Sequence, residues 1–337
     1  MIHASSWLCV ALLLFGGLYD VHGAAPGSKI VIGFAAMNAR VTPLWAAKDE
    51  GFFVKYDIDG ESIFVRGAPT LNAAMLSGDL QAGYTGGTAV LGATVGGADF
   101  KILAILTNKV TYDLVGRRGI KTAEDLRGKQ VGVTSIGGTN WMGTILGLER
   151  LGLDPVRDKI HFIVNGDDSV RTQGLLAGAM DATAVDGVYS KILREKGLPV
   201  LAEFSPLKIP ITSASIVLPN AFIQKSPRVV ENLLKAVLEG LVWGISPLNK
   251  SRVVNLISRR LRISPQEAEE GYRDMTAGLE RDPFPTADGL KNIQRLMKSR
   301  NPKMAELNVE NLIDASFMQR LQESGFLDKL YTTYGLK

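Results

Sequence analysis

With 337 residues, 46% of them apolar and 21% charged, the chain has ordinary globular composition and is long enough for two lobes. The net charge of +4 is spread out. Its densest basic clusters, Arg259-Arg260-Arg262 and Lys298-Arg300-Lys303, fall in helical surface patterns without flanking aromatics. Nucleic-acid recognition needs a basic stripe with stacking or groove-reading residues, so no nucleic-acid partner is expected.

The chain opens on an apolar run at 7–19, too short to span a bilayer comfortably. The run ends at Val21-His22-Gly23, before Ala24, and residues 1–23 read as a cleaved secretory signal peptide despite an n-region with His3 and no Lys or Arg. Cys9 lies inside the apolar run, which speaks against a lipid-bearing cysteine. Removal of residues 1–23 leaves no cysteine and a single histidine, His161. A metal site built from His and Cys is not expected on that count, and neither is a cofactor. No later stretch is long and apolar enough for a transmembrane helix.

Residues 29–34 (KIVIGF) have the pattern of a buried strand, followed by the loop "AAMNARVT" and a helix at about 43–50 that Gly51 ends. A second strand is expected near 58–65, and "RGAPTLNAAMLSG" then gives a turn and a helix closed by Gly78. "LQAGYTGG" is a short strand running into a glycine turn. Alternation of this kind makes a parallel sheet covered by helices.

The same order returns one hundred positions later. "KQVGVTS" is a strand, a helix is expected over 139–150 with Gly152 at its end, and "KIHFIVN" is the next strand. "MLSGDLQAGYTGG" (75–87) aligns with "LLAGAMDATAVDG" (175–187), matching Leu76 with Leu176, Gly78 with Gly178, Ala82 with Ala182 and Gly87 with Gly187. Two related lobes follow from that repeat. Extended segments at 111–120 ("TYDLVGRRGI") and 211–220 ("ITSASIVLPN") are the expected crossovers between them. Lobe one then comprises 28–115 and 216–337, and lobe two is an insertion at 116–215. From Ser226 onward the pattern is helical, with Ser264-Pro265-Gln266-Glu267 as a well-marked helix start.

Taken together, "LWAAKDEGFFVKYDID", "TLNAAMLSGDLQAGYTGG", "DLRGKQVGVTSIGGT" and "GLLAGAMDATAVDG", in this order and spacing, resemble the periplasmic substrate-binding proteins of ABC importers. The branch is the nitrate/sulfonate/taurine type, which shares its fold with thiamine-pyrimidine-precursor synthases. The resemblance implies an α/β, two-lobe periplasmic-binding-protein fold of type II, with two crossovers acting as a hinge and the helical C-terminal segment packed on lobe one. It implies a monomeric, periplasmic protein that captures a small organic anion and docks on an inner-membrane ABC permease.

In such a fold the ligand lies at the carboxyl ends of the strands, between the lobes. Four turns map there: Met37, Asn38, Arg40 and Thr42 after the first strand; Gly67, Ala68, Pro69 and Thr70 after the second; Gly86, Gly87 and Thr88 after the third; and Ser135, Gly137, Gly138 and Thr139 in lobe two, with Asp186-Gly187 closing its third strand. Helix starts offer free N–H groups and a positive dipole end, glycines permit close approach, and hydroxyls add adjustable hydrogen bonds. Simple N-capping explains each Ser or Thr equally well.

Arg40 and Arg66 border the mouth and offer a fork for a carboxylate or sulfonate. Asp186 either receives a ligand amine or caps the helix at Tyr189. Trp45 and Tyr84 suit the core, and Trp141, just past the glycine turn, suits the cleft wall. The alternatives are an enzyme on the same fold, of pyrimidine-precursor-synthase or menaquinone-pathway-lyase type, and a sensory protein docking to a receptor. Catalysis by nucleophile and base has only His161 to draw on, beside the apolar strand "HFIV".

Overall fold

Residues 27–336 are described in the computed structural model, so the expected signal peptide at 1–23 lies outside the described residues. The first strand, β1 (Ser28–Phe34), pairs in parallel with β2 (Ile58–Phe64), every residue in register from Ser28 opposite Ile58 to Phe34 opposite Phe64. Between them run α1 (Thr42–Asp49) and the single turn α2 (Phe52–Lys55), separated by Gly51 in the left-handed region (φ 77°). The helix α3 (Ala68–Ser77) leads to β3 (Ala82–Thr85), and α4 (Gly87–Val95) to β4 (Phe100–Lys109). The second sheet follows: β5 (Asp113–Gly116), β6 (Gln130–Val133), α5 (Thr139–Arg150), β7 (His161–Val164), α6 (Asp168–Leu176), β8 (Ala182–Val185), α7 (Gly187–Glu195) and β9 (Val200–Glu203). The chain then returns to the first sheet as β10 (Pro210–Pro219).

The two sheets have one topology written twice. Sheet one is ordered β2-β1-β3-β10-β4, and sheet two β7-β6-β8-β5-β9. In each, the fourth strand of the order runs antiparallel to its neighbours and is the strand nearest a crossing: β10 against β3 and β4, β5 against β8 and β9. The repeat seen in sequence is a repeat of backbone. Gly78 and Gly178 both take positive φ (86° and 76°) at the ends of α3 and α6, and Gly51 and Gly152 both have φ 77°. A side chain at such positions would be strained, which fixes glycine there.

The crossings themselves are shorter than expected and sit slightly earlier. Segment 111–120 contains β5 and segment 211–220 contains most of β10, while the chain passes between sheets over 110–112 and 204–209. β-branched residues bounded by turn formers are what a strand needs, and pairing with a sheet wins over an unpaired hinge. The strands of sheet two therefore span 113–203.

The C-terminal helices are α8 (Asn220–Lys225), α9 (Pro227–Ile245), α10 (Lys250–Leu261), α11 (Pro265–Gly278), α12 (Asp288–Met297), α13 (Ser316–Glu323) and α14 (Phe326–Thr333). α9 lies on α1 so closely that a Cβ on Gly240 would collide with the Pro43 carbonyl oxygen. Trp45, Trp243, Leu44 and Leu241 are buried in the core that this contact closes. α11 starts with a capping box, the Ser264 hydroxyl accepting from the Glu267 N–H while the Glu267 carboxylate accepts from the Ser264 N–H at 2.7 Å. Two helices also reach the second lobe. α11 packs on α7, and Arg295 of α12 grips Glu149 of α5 with two bonds of 2.8 and 2.6 Å. Among the described residues no helix is long and apolar enough to cross a membrane.

Candidate functional site

The carboxyl ends of β1, β3 and β6 converge on one cavity of about 70 Å³, roughly the room of a few water-sized groups. Three helix starts meet there. α3, α4 and α5 begin from Gly67, Gly86 and Gly138, and none of the three caps carries a side-chain hydrogen bond to the helix. Their first N–H groups keep the positive end of each helix dipole available to a ligand. Gly86 has a second reason to be glycine: a Cβ there would meet Thr139 Oγ1 of the other lobe and the Ser213 carbonyl oxygen.

Six of the fourteen residues assigned to the site in sequence line this cavity: Asn38, Arg40, Ala68, Ser135, Gly138 and Thr139. The others lie outside the lining. Thr42 is buried at the first position of α1 and donates to the Ala39 carbonyl at 2.6 Å, a bond back to the preceding turn and not an N-cap. Thr70 is exposed, and Met37 is half-buried against the core of lobe one. Gly67 faces Ser135 across the cleft mouth. Gly87 abuts Leu290 and Thr212, and Thr88 is fully buried with its hydroxyl unpartnered. Trp141 is buried edge-on to Phe162, with the Arg300 guanidinium over its ring. Two residues past the start of α5, its side chain turns back onto Phe162 of its own lobe. Arg66 is 64% exposed, 4.0 Å from Asp167. His161 is exposed at the edge strand β7.

Arg40 has the most decided environment. Only 3% exposed, it donates from Nη1 to Asp274 Oδ2 at 2.7 Å and from Nη2 to Asp186, and its guanidinium lies over the Tyr112 ring. Its fork, expected to hold a ligand, is used on two of the protein's own carboxylates. Burial alone would lower its pKa, but Asp186 and Asp274 raise it further, so it stays charged. Asp186 does not cap α7: it is the N-cap residue without a cap bond, one carboxylate oxygen crossing to Arg40 of lobe one and the other buried without a partner. Arg40 also donates its main-chain N–H to Asn38 Oδ1 at 3.1 Å, and its carbonyl accepts from the Tyr84 hydroxyl at 2.6 Å.

Sequence reasoning missed the support behind this pair. Arg171 is fully buried and donates to the Thr134 hydroxyl at 2.5 Å, the Gly166 carbonyl at 2.6 Å, the Thr183 hydroxyl at 3.0 Å, the Ala184 carbonyl at 3.1 Å and Asp168. The other oxygen of Asp168 accepts from the Asp186 N–H at 3.2 Å. Arg171, Asp168, Asp186, Arg40 and Asp274 thus form one polar chain across the lobes. Thr134 lines the cavity, as does Asn140, whose amide bridges the Thr134 N–H and the Ala184 carbonyl. Asn140 was within reach of sequence, two residues past the glycine cap. Asp274, in an ordinary helix-surface pattern, gave no signal.

The carboxylates outnumber the cations in this interior. Burial raises Asp168 and Asp274 well above the carboxylate range against the opposing pull of Arg171 and Arg40, and burial holds nearby Asp113 up at about 6. Between an unfolded pKa of about 4 and these folded values, the folded chain binds more protons than the unfolded one, so stability falls as pH rises through that interval. The melting temperature is expected to be higher at pH 5.5 than at pH 7.5. The loss on going to pH 7.5 is on the order of 1–3 kcal/mol, and a flat or rising melting temperature over that range would contradict it.

A family model, NMT1/THI5 like, matches residues 38–247. The chain belongs to this NMT1/THI5-like family. Solved structures share the fold at low identity. The alkanesulfonate-binding protein SsuA from Xanthomonas axonopodis pv. citri, bound to MOPS, superposes with a TM-score of 0.72 at 16% identity, covering 86% of this chain and 99% of that one. The periplasmic nitrate-binding protein NrtA from Synechocystis PCC 6803 gives 0.70 at 16%, covering 88% and 89%. A DSZB mutant in complex with biphenyl-2-sulfinic acid gives 0.61 at 15%, covering 88% and 99%. Among curated proteins none matches the sequence. This member of the NMT1/THI5-like family therefore has the two-lobe periplasmic-binding-protein fold.

Proposed function

We propose that the protein is an extracytoplasmic solute-binding protein that captures a small organic anion between its lobes and delivers it to an ABC importer permease. The observation that carries this reading is the convergence of three helix starts without side-chain caps, from both lobes, on one small cavity. The anionic head meets N–H groups and the hydroxyls of Ser135, Thr139 and Ser213, while Arg40, neutralised by its own carboxylates, orders the wall. The alkanesulfonate- and nitrate-binding neighbours support an oxyanion. A binding role is supported by the alkanesulfonate- and nitrate-binding proteins among the structural neighbours.

Refolded protein stripped of ligand is scanned for melting temperature against sulfonates, carboxylates, nitrate, amino acids and pyrimidines. A ligand at a hundred times its Kd adds about 2.7 kcal/mol to folding stability. The expected result is a rise confined to one anionic class and weakened about tenfold in Thr139→Ala, the loss of one hydrogen bond to a charged acceptor. A rise with neutral pyrimidines alone, or with no ligand at all, would sink the reading.

A further inference from the structure

A larger groove, of about 580 Å³, lies on the other side of the Arg40–Asp274 pair, between α11 and the second lobe. Its walls come from Asp113 at the start of β5, from α7, from the turn after β9 and from α11. Five carboxylates line it against three cations. Two of those cations are already engaged at the rim, Arg194 with Glu203 at 3.0 Å and Arg273 with Glu270.

Deeper in, the groove holds the Asp113 carboxylate and two hydroxyls. Asp113 makes no ion pair with a basic side chain among the described residues, and burial disfavours its charge. Beside it the hydroxyls of Thr111 and Ser190, 3% and 1% exposed, are buried without a well-formed hydrogen bond although both residues line the groove. Buried polar atoms are rarely left so, because each costs the desolvation it underwent. A carboxylate and two hydroxyls lining one groove offer three acceptors, which suits the three N–H bonds of an ammonium group. A divalent metal fits less well, since among the described residues no three His, Cys, Asp or Glu side chains gather to hold one.

We propose that this groove is a second binding site, for a small primary alkylammonium ion whose head is received by Asp113, Thr111 and Ser190. Its length leaves room for a short carbon chain running toward the rim. Asp274 lines the groove and also accepts from Arg40, whose other nitrogen holds Asp186 of lobe two, so an occupant touches a direct neighbour of the tie between the lobes.

Butylamine, 1,4-diaminobutane and the neutral control 1-butanol are titrated by calorimetry into the full chain at pH 7.5. Both amines are expected to bind at one site and butanol to give no heat. Asp113→Asn should weaken the amines at least about tenfold, and the isosteric Thr111→Val several-fold, the latter carrying the test if the former does not fold. Thr139→Ala, in the first cavity, should leave amine binding unchanged. Butanol binding as well as butylamine, affinities unaltered by both groove variants, no binding of either amine, or loss of amine binding in Thr139→Ala would each overturn the proposal.

Discussion

Arg40→Met is expected to destabilise the protein by about 3–5 kcal/mol, the cost of stripping the partner from buried charges. Asp186 and Asp274 would then be buried with no cation between them, in an interior where burial already disfavours the charged form of Asp274. Methionine keeps the apolar bulk against Tyr112 and removes only the charge and its donors. Because Arg40 joins lobe one to Asp186 at the start of α7 in lobe two, part of the loss should appear as opening of the lobes. Urea unfolding gives the first quantity, and the radius of gyration by small-angle scattering the second. Adding Asp274→Asn should recover part of the loss. A change below about 1 kcal/mol, within the range of an exposed ion pair, would show the tie to be dispensable.

Arg171→Met is expected to cost a similar amount, about 3–5 kcal/mol by the same argument. Here the greater effect is on the site. Arg171 touches no ligand space, yet its guanidinium fixes the Thr134 hydroxyl, and its removal leaves the Gly166 and Ala184 carbonyls each short of one donor. Ligand affinity should fall although every other lining side chain is intact. Since Asp168 links Arg171 to the Asp186 N–H, the double variant with Arg40→Met should be non-additive by about 0.5–3 kcal/mol, the usual range for coupled neighbours. Strict additivity would mean that the polar chain is two separate pairs.

The fold was legible because periodicity and punctuation agree with it. Buried strands such as β1 and β6 carry apolar runs, and Gly51, Gly78, Gly152 and Gly178 mark helix ends that demand positive φ. The lobe-two turn was legible for the same reason: Gly137, between β6 and α5, takes positive φ (79°). The polar chain was not. Arg40 and Asp186 are 146 positions apart, and Asp274 stands 88 further on, so their meeting depends on how α11 lies across the lobes, which no local pattern encodes. Trp141 shows the complementary failure. Proximity in sequence to the glycine turn suggested the cleft, but the direction of a side chain on the first helical turn is set by which face the helix buries.

The position of β10 has a consequence for synthesis. Sheet two is complete within one uninterrupted stretch, 113–203, whereas sheet one lacks the strand between β3 and β4 until residue 219 has been made. A growing chain therefore completes its second sheet first, and for that interval carries β3 and β4 as unpaired edges with an apolar gap between them. Unpaired edges of this kind recruit foreign strands. Nascent chains halted before 210 should be sticky through residues 82–109, and a holdase that shields them should seat there, releasing its hold when β10 closes the gap.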